Sequence, residues 1–313
     1  MNRQWIRQQF EKIDMKDARL EQRAIEIAQS CAEHPDKSLS GRFEDWAGLK
    51  AAYRFFSNSK ATHQTLQQPH YHEVLEKARW AEELVLFIQD GSELLFNFHP
   101  WTHGLGPTAD ATGNGLMFHS CLVAKYYESK EPKILGLGYQ EAWVRPEKKV
   151  IGGSKESEVW LRTFIRVWCP ERPKLEWLLI TNLPVENEED AQKIVEIYRQ
   201  RWLIEDYHKA LKTGCRIEDS QFKQASRIFA LLGLLGVIAT QLLAMREHCR
   251  LSPTTRAEDA IPKRWIMLIE QRLRVKIATV RDFWHCLARL GGFIGRKSDG
   301  EPGWQTIWSG WSG

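Results

Sequence analysis

One carboxylate lies among cationic and phenolic residues in the segment IYRQRWLIEDYHKALKTG, residues 197–214. On an α-helix, at about 100° per residue, one narrow stripe would hold Tyr198, Arg201, Glu205, Lys209 and Lys212, with His208 close beside it. Such a stripe could bind a divalent metal ion through the carboxylate while the arginine and lysines bind phosphates. The alternative is a solvated helix face with ordinary i,i+4 ion pairs, and spacing alone favours that interpretation.

A second candidate carboxylate, Asp90, closes the apolar run LVLFIQD (84–90) and precedes Gly91 and Ser92. The run is typical of a β-strand. A carboxylate at a strand end, beside a helix carboxylate such as Glu205, is the arrangement of two-metal phosphoryl-transfer sites. A turn-forming Asp-Gly pair is the competing interpretation, and it is the commoner one for Asp90 taken alone.

Helices and strands predicted from the hydrophobic pattern must position these two candidates. Apolar spacing predicts one amphipathic helix over 5–33 and further helical segments at 43–58 and 65–83. Apolar, β-branched and aromatic runs predict strands at 84–90, 115–127, 134–144 and 175–185. Helices are then predicted at 188–211, 228–245, 263–274 and 279–290. The predicted fold class is therefore mixed α/β, with helices on either side of a β-meander.

Composition limits the classes of function. The chain has 313 residues, a formal net charge of +4 and 27% charged residues, which excludes disordered and collagen-like proteins. Residues 246–297 hold 12 Lys or Arg and 5 Asp or Glu, a basic region suited to a polyanionic partner. The six cysteines are scattered without a CxxC, which indicates a reducing cytoplasm. We interpret the uncharged run 228–245 as a buried core helix, so no membrane partner is expected.

The pattern Tyr-x2-Arg-x3-Glu-x6-Lys resembles the YREK signature of bacterial cut-and-paste DDE transposases of the insertion-sequence-4 group, the Tn-five-type enzymes. EWLLITNLPV before the signature resembles the last core strand of that family, and AAYRFFSN resembles its end-binding domain. LARLGGF and GWQTIWSGW resemble its C-terminal region. The resemblance implies an RNase H-like catalytic core that binds transposon-end DNA and performs phosphodiester hydrolysis and strand transfer.

The resemblance also implies roles for individual residues. Asp90 and Glu205 match the first catalytic aspartate and the catalytic glutamate, which would bind Mg²⁺, with Mn²⁺ as a possible substitute. The residues matching DNA-contacting positions, or lying beside them, are Tyr198, Arg201, His208, Lys209, Lys212 and, in the end-binding domain, Arg54. Trp177 matches an aromatic side chain on which the family stacks a flipped base, although a core tryptophan is the alternative from the residues alone.

The sequence departs from the family in its middle. The second catalytic aspartate should end a strand between Asp90 and Glu205, where the only aspartates are Asp110, in a Gly/Pro/Thr loop, and Asp190, at the start of the catalytic helix. The β-rich insertion of the family is also missing, and we place the junction of an internal deletion near 161–164. Two metal carboxylates in place of three predict impaired catalysis.

Three domains follow from this interpretation. Residues 1–83 would form a helical end-binding domain, 84–245 an incomplete RNase H-like core, and 246–313 a truncated C-terminal helical region. The expected partner is double-stranded DNA, both transposon ends and target, in the bacterial cytoplasm and nucleoid. The family forms a homodimer through C-terminal helices, and the truncation just after Trp311 argues against this dimer here. The competing hypotheses are a catalytically inactive remnant that inhibits transposition by binding DNA or a full-length partner, and a decayed product that folds poorly.

Overall fold

The computed structural model describes residues 3–35, 37–109, 113–127, 130–143, 163–169, 172–296, 298–303, 306–307 and 309–310. The chain divides into two compact units, Met1–Arg145 with Ile204–Gly313, and Pro146–Leu203. Helices and strands occur in both units, so the mixed α and β class is confirmed. The RNase H-like core and the three domain boundaries remain predictions.

The first unit begins with helices α1 (Arg3–Phe10), α2 (Ala18–Glu33), α3 (Trp46–Phe56) and α4 (His63–Arg79). The predicted single helix over 5–33 is wrong, because the chain turns between α1 and α2. Lys16 there has a φ of 51°, and the Asp17 side chain accepts hydrogen bonds from the amides of Arg19 and Leu20. An aspartate in this position starts a new helix rather than continuing the previous one.

A four-stranded sheet follows, consisting of β1 (Leu84–Leu95), β2 (Gly106–Pro107), β3 (Asn114–Tyr127) and β4 (Lys130–Trp143). β3 pairs antiparallel with each of the other three strands. The prediction that the first strand ends at Asp90 is wrong. β1 continues to Leu95, so the Asp-Gly pair forms no turn, and Gly91 pairs with His119 within the ladder. Cys121 and Val123 of β3 pack against Val74 of α4, which covers one face of the sheet.

Helix α7 (Ala225–Leu251) is the central core helix of the first unit. All ten residues from Leu231 to Thr240 are buried, which confirms the predicted core helix at 228–245. Among the described residues, Ala225–Glu247 is the one stretch long and apolar enough to cross a membrane, but 78% of its apolar window is buried inside the protein. That burial is typical of a core helix and does not suggest a membrane span.

The C-terminal region forms helices α8 (Ala257–Ala260), α9 (Lys263–Leu273) and α10 (Val280–Leu290), which confirms both helices predicted there. Their buried side chains form a separate apolar cluster that includes Ile266, Ile269 and Phe283. Thr279 caps α10 by a reciprocal pair of hydrogen bonds with Asp282. The tail residues Trp304, Trp308 and Trp311 lie outside the described residues.

The second unit contains a hairpin of β5 (Thr163–Cys169) and β6 (Arg172–Thr181), followed by α5 (Glu188–Arg199). The predicted continuous helix 188–211 is wrong. α5 ends at Arg199, a turn occupies Gln200 and Arg201, and α6 (Trp202–Lys209) continues into a π-helical turn at Ala210–Gly214. Of the predicted junction at 161–164, only Thr163 and Phe164 are among the described residues, at the start of β5.

Candidate nucleic-acid interface and active site

Asp90 lies in the middle of β1, directly opposite Ser120 of β3. Opposed residues of an antiparallel pair share a face, and so do residues two apart, so Asp90 lies on the same face as Phe118. The ring of His208 packs edge-on against Phe118, with ring centroids 5.0 Å apart. β1 therefore presents Asp90 on the face that contacts α6, the helix that also carries Glu205.

His208 occupies the interior of this arrangement, since only 7% of it is exposed. Burial lowers the pKa of His208 to about 4, the charge of Asp90 opposes this shift, and Lys212 adds to it. Its Nε2 atom is buried without a hydrogen-bond partner among the described residues. His208 is therefore a neutral packing residue near pH 7, and its contact with DNA remains a prediction.

Lys212 lies on the π-helical turn, where burial lowers its pKa and the charges of Glu218 and Glu93 oppose that shift. Both carboxylates accept backbone hydrogen bonds, Glu218 from the amide of Leu95 at 2.8 Å and Glu93 from the amide of Ala109 at 2.6 Å. Sequence reasoning did not identify these two acidic neighbours of Lys212. Glu218 lies beyond α6 and the π-helical turn, and no local pattern connects it to Lys212.

A buried ion cluster attaches α6 to the core helix α7. The Arg246 guanidinium contacts the Asp206 carboxylate at 2.5 Å and the Glu247 carboxylate at 2.6 Å. Arg246 and Glu247 are buried, and Asp206 directly follows Glu205 in the chain. Lys209 is exposed and lies 3.7 Å from Asp206. The cluster therefore ties α6, the helix that carries Glu205, to α7.

The single helical stripe predicted from residues 198–212 is wrong. Because α5 ends at Arg199, Tyr198 belongs to α5 and Glu205 to α6, and Lys212 lies on the π-helical turn. A constant 100° per residue does not apply across these breaks. The predicted roles of the individual residues do not depend on the stripe and remain predictions.

In the second unit, Trp177 and Tyr198, both predicted to contact DNA, are in ring contact. Trp177 of β6 lies opposite Val167 and packs against Tyr198 of α5, with ring centroids 5.4 Å apart and planes at 65°. Tyr198 is 38% exposed. The Arg201 guanidinium lies over the ring of Trp202, 4.9 Å from its centroid. This unit therefore presents aromatic and cationic side chains at its surface.

Helix α3 carries an exposed stripe that we name the α3 face, formed by Trp46, Lys50 and Arg54. Their i, i+4, i+8 spacing places them on one side of the helix. Trp46 is 72% exposed, and both cations are exposed. Neither cation forms an ion pair with any described residue. Arg54 was predicted from the sequence, whereas Trp46 and Lys50 were missed although their spacing would have revealed them.

The assignment of Asp90 and Glu205 as ligands of Mg²⁺ or Mn²⁺ stays a prediction. Within the described part of the chain, no group of three or more His, Cys, Asp or Glu side chains is arranged to hold a metal ion. Asp110 lies outside the described residues. Asp190 belongs to the second unit, where its carboxylate accepts the amide of Glu186 at 2.9 Å.

Comparison with known proteins bears on the N-terminal helices. Residues 2–61 match the transposase DNA-binding family. The match covers α1, α2 and α3, including the whole α3 face, and ends just before α4. It supports a transposase, with DNA as its partner.

Proposed function

We propose that this protein is a cut-and-paste transposase of the insertion-sequence-4 group that retains DNA binding and is impaired in catalysis. The observation that carries the proposal is the transposase DNA-binding match over residues 2–61, together with the exposed cations of α3 within it, which pair with no acidic side chain among the described residues.

The α3 face has the chemistry of a phosphate-contacting helix. Lys50 and Arg54 lie one turn apart, and their charges are not neutralised by described acidic side chains. Cationic side chains that bind phosphates release condensed counterions, which supplies most sequence-independent affinity. Trp46 adds a large exposed ring that can pack against a sugar or a base.

Catalysis is the part of the family function that we propose is weakened. Asp90 and Glu205 would be the metal carboxylates, and Tyr198, Arg201, Lys209 and Lys212 would hold the cleaved strand by its phosphates. Mg²⁺ would supply activation of the attacking oxygen and stabilisation of the leaving oxygen. With a donor set short of the family's three carboxylates, we expect hydrolysis and strand transfer to be slow or absent.

The second candidate function is an inactive inhibitor of transposition that occupies DNA ends or pairs with a full-length enzyme. The lack of a strand-end aspartate between Asp90 and Glu205, where the family pattern places its second catalytic aspartate, favours it. It differs from the first proposal in one respect, since it requires DNA binding or heteromeric assembly without any cleavage.

The test begins with selection of bound sequences from a random duplex library, which yields the recognised end. Cleavage of that end is then assayed with Mg²⁺ and with Mn²⁺, for the wild type and for Glu205→Gln. Slow nicking that Glu205→Gln abolishes supports the impaired enzyme, and end-specific binding without nicking supports the inhibitor. Absence of any sequence-specific binding contradicts both.

A further inference from the structure

Helix α9 and the turn after it carry a second cationic surface, which we name the α9 face. It consists of the exposed residues Lys263, Arg264, Met267, Leu268, Arg272, Arg274 and Lys276. None of its five cations forms an ion pair with any described residue. The single acidic residue of α9, Glu270, is half-buried, and its carboxylate accepts the amide of Ile277 at 2.8 Å. The positive charge of this surface is therefore uncompensated.

The orientation of the α9 face is fixed by the opposite side of the helix. Ile266 and Ile269 are 8% and 7% exposed and belong to the C-terminal apolar cluster. The helix ends at Leu273, and the next residue, Arg274, turns the chain sharply with its φ of 54°. These contacts leave the outer side of α9 to solvent, with Met267 67% and Leu268 54% exposed at its centre.

We propose that the α9 face binds the phosphate backbone of duplex DNA, independently of sequence and apart from the end contacted by α3. The proposal rests on the proposed function. Arg264 and Arg272 are eight residues apart, or about 12 Å along a helix. That separation is comparable with the roughly 12 Å width of the major groove. The two arginines can therefore contact phosphates on either side of a groove.

Charge favours DNA over the other occupants of such a surface. A second copy of the chain would have to bring acidic side chains to five cations, yet the chain itself carries a net positive charge of +4. An anionic membrane would also attract a basic amphipathic helix. The transposase DNA-binding match in the same chain makes duplex DNA the partner we argue for.

The test measures binding of the full chain to a 30-bp duplex of arbitrary sequence by fluorescence anisotropy, between 0.05 and 0.3 M salt. The slope of log K against log [salt] is negative, and each lost phosphate contact should make it shallower by about 0.9. We expect Arg264→Gln/Arg272→Gln/Arg274→Gln to reduce the slope by about 2 to 3 and the affinity at 0.1 M salt at least tenfold. Arg281→Gln is the matched control, because Arg281 is exposed nearby but already contacts Glu301.

The outcomes separate this inference from the proposed function. If the triple variant keeps the wild-type slope while Lys50→Gln/Arg54→Gln loses end binding, the α9 inference is overturned and the proposed function stands. An unchanged slope combined with loss of self-association, or of binding to vesicles containing phosphatidylserine, would assign the face to a protein or membrane instead. Circular dichroism of the triple variant should match the wild type, because all three arginines are exposed.

Discussion

The ring of Trp177 packs edge-on against the ring of Tyr198, with centroids 5.4 Å apart, although 20 residues and a change from strand to helix separate them. Both residues were assigned to DNA contact through the resemblance to the transposase family, and the structure brings them together within one unit. Tyr198 is 38% exposed and Trp177 half-buried, so the pair presents part of its aromatic surface to solvent. A base displaced from a duplex could stack on it.

Replacing Trp177 with alanine should weaken binding to a duplex that contains one unpaired base. Base stacking on an aromatic side chain contributes about 1–3 kcal/mol, or about 5- to 150-fold in affinity. Binding to a fully paired duplex should change little, as measured by anisotropy on both probes. Trp168→Ala is the control, because Trp168 is a 61% exposed tryptophan of the neighbouring strand β5. Equal losses for the two variants, or equal losses on the two probes, would exclude a stacking role for Trp177.

Replacing Arg246 with leucine should destabilise the protein strongly, because it removes the buried cation that the partly buried Asp206 and the buried Glu247 share. Removing one partner of a buried ion cluster costs about 3–5 kcal/mol. Urea denaturation measures this free energy. Arg250→Leu is the control, since Arg250 is more exposed and its distance to Glu247 is 3.6 Å, so a loss below about 1 kcal/mol is expected. Similar losses for both variants would show that the cluster does not hold α6.

Replacing Arg42 with methionine tests how the N-terminal helices attach to the rest of the first unit. The buried Arg42 guanidinium donates to the carbonyls of Cys215 at 2.6 Å and Pro35 at 2.9 Å, and no described carboxylate neutralises it. Methionine leaves these carbonyls without their hydrogen-bond donor, which should lower the free energy of unfolding by about 2–4 kcal/mol. Arg19→Met, at an exposed position of α2, should change it by less than about 0.5 kcal/mol. A stability loss for Arg42→Met as small as that of the control would contradict the role of Arg42 in attaching the N-terminal helices.

Acid should destabilise the protein through two buried histidines. Burial lowers the pKa of His70 and that of His208 to about 4. A lowered pKa in the folded state means that the unfolded state binds more protons, so stability is full above about pH 6.5 and falls as pH drops toward 4. Each histidine should cost about 2 kcal/mol between pH 7 and pH 5. Chemical denaturation at several pH values in this range measures how the free energy of unfolding depends on pH. In His208→Gln this dependence should be about half as steep as in the wild type, and an unchanged steepness would contradict the burial of His208.

The sequence predicted the long, strongly periodic elements well. The core helix around Leu235, the two C-terminal helices and strands β3 and β4 all overlap their predicted ranges. The prediction failed where a helix-capping residue interrupts an apolar spacing that continues on both sides of it. The apolar spacing continued across Asp17, whose capping hydrogen bonds begin a new helix.

At the candidate site, the failures have a different cause. Asp90-Gly91 resembles a turn, but pairing with Ser120 and His119 on β3 extends the strand through it. Tertiary contact of this kind is not visible in a single sequence. The break at Gln200 carries no proline or glycine, so helix periodicity gave no reason to expect it. The roles assigned to Asp90 and Glu205 stay predictions, because they rest on the family pattern of residue types and spacing and not on helix continuity.

The central claim is that the N-terminal helices bind DNA through the α3 face, and salt-dependent binding to the selected end duplex tests it most directly. Lys50→Gln/Arg54→Gln should bind at least tenfold more weakly at 0.1 M salt, with a slope of log K against log [salt] reduced by about 1.8. Arg79→Gln, an exposed arginine of α4 already paired with Glu76 at 2.8 Å, should bind as the wild type does. Wild-type affinity and slope in the double variant would contradict the claim.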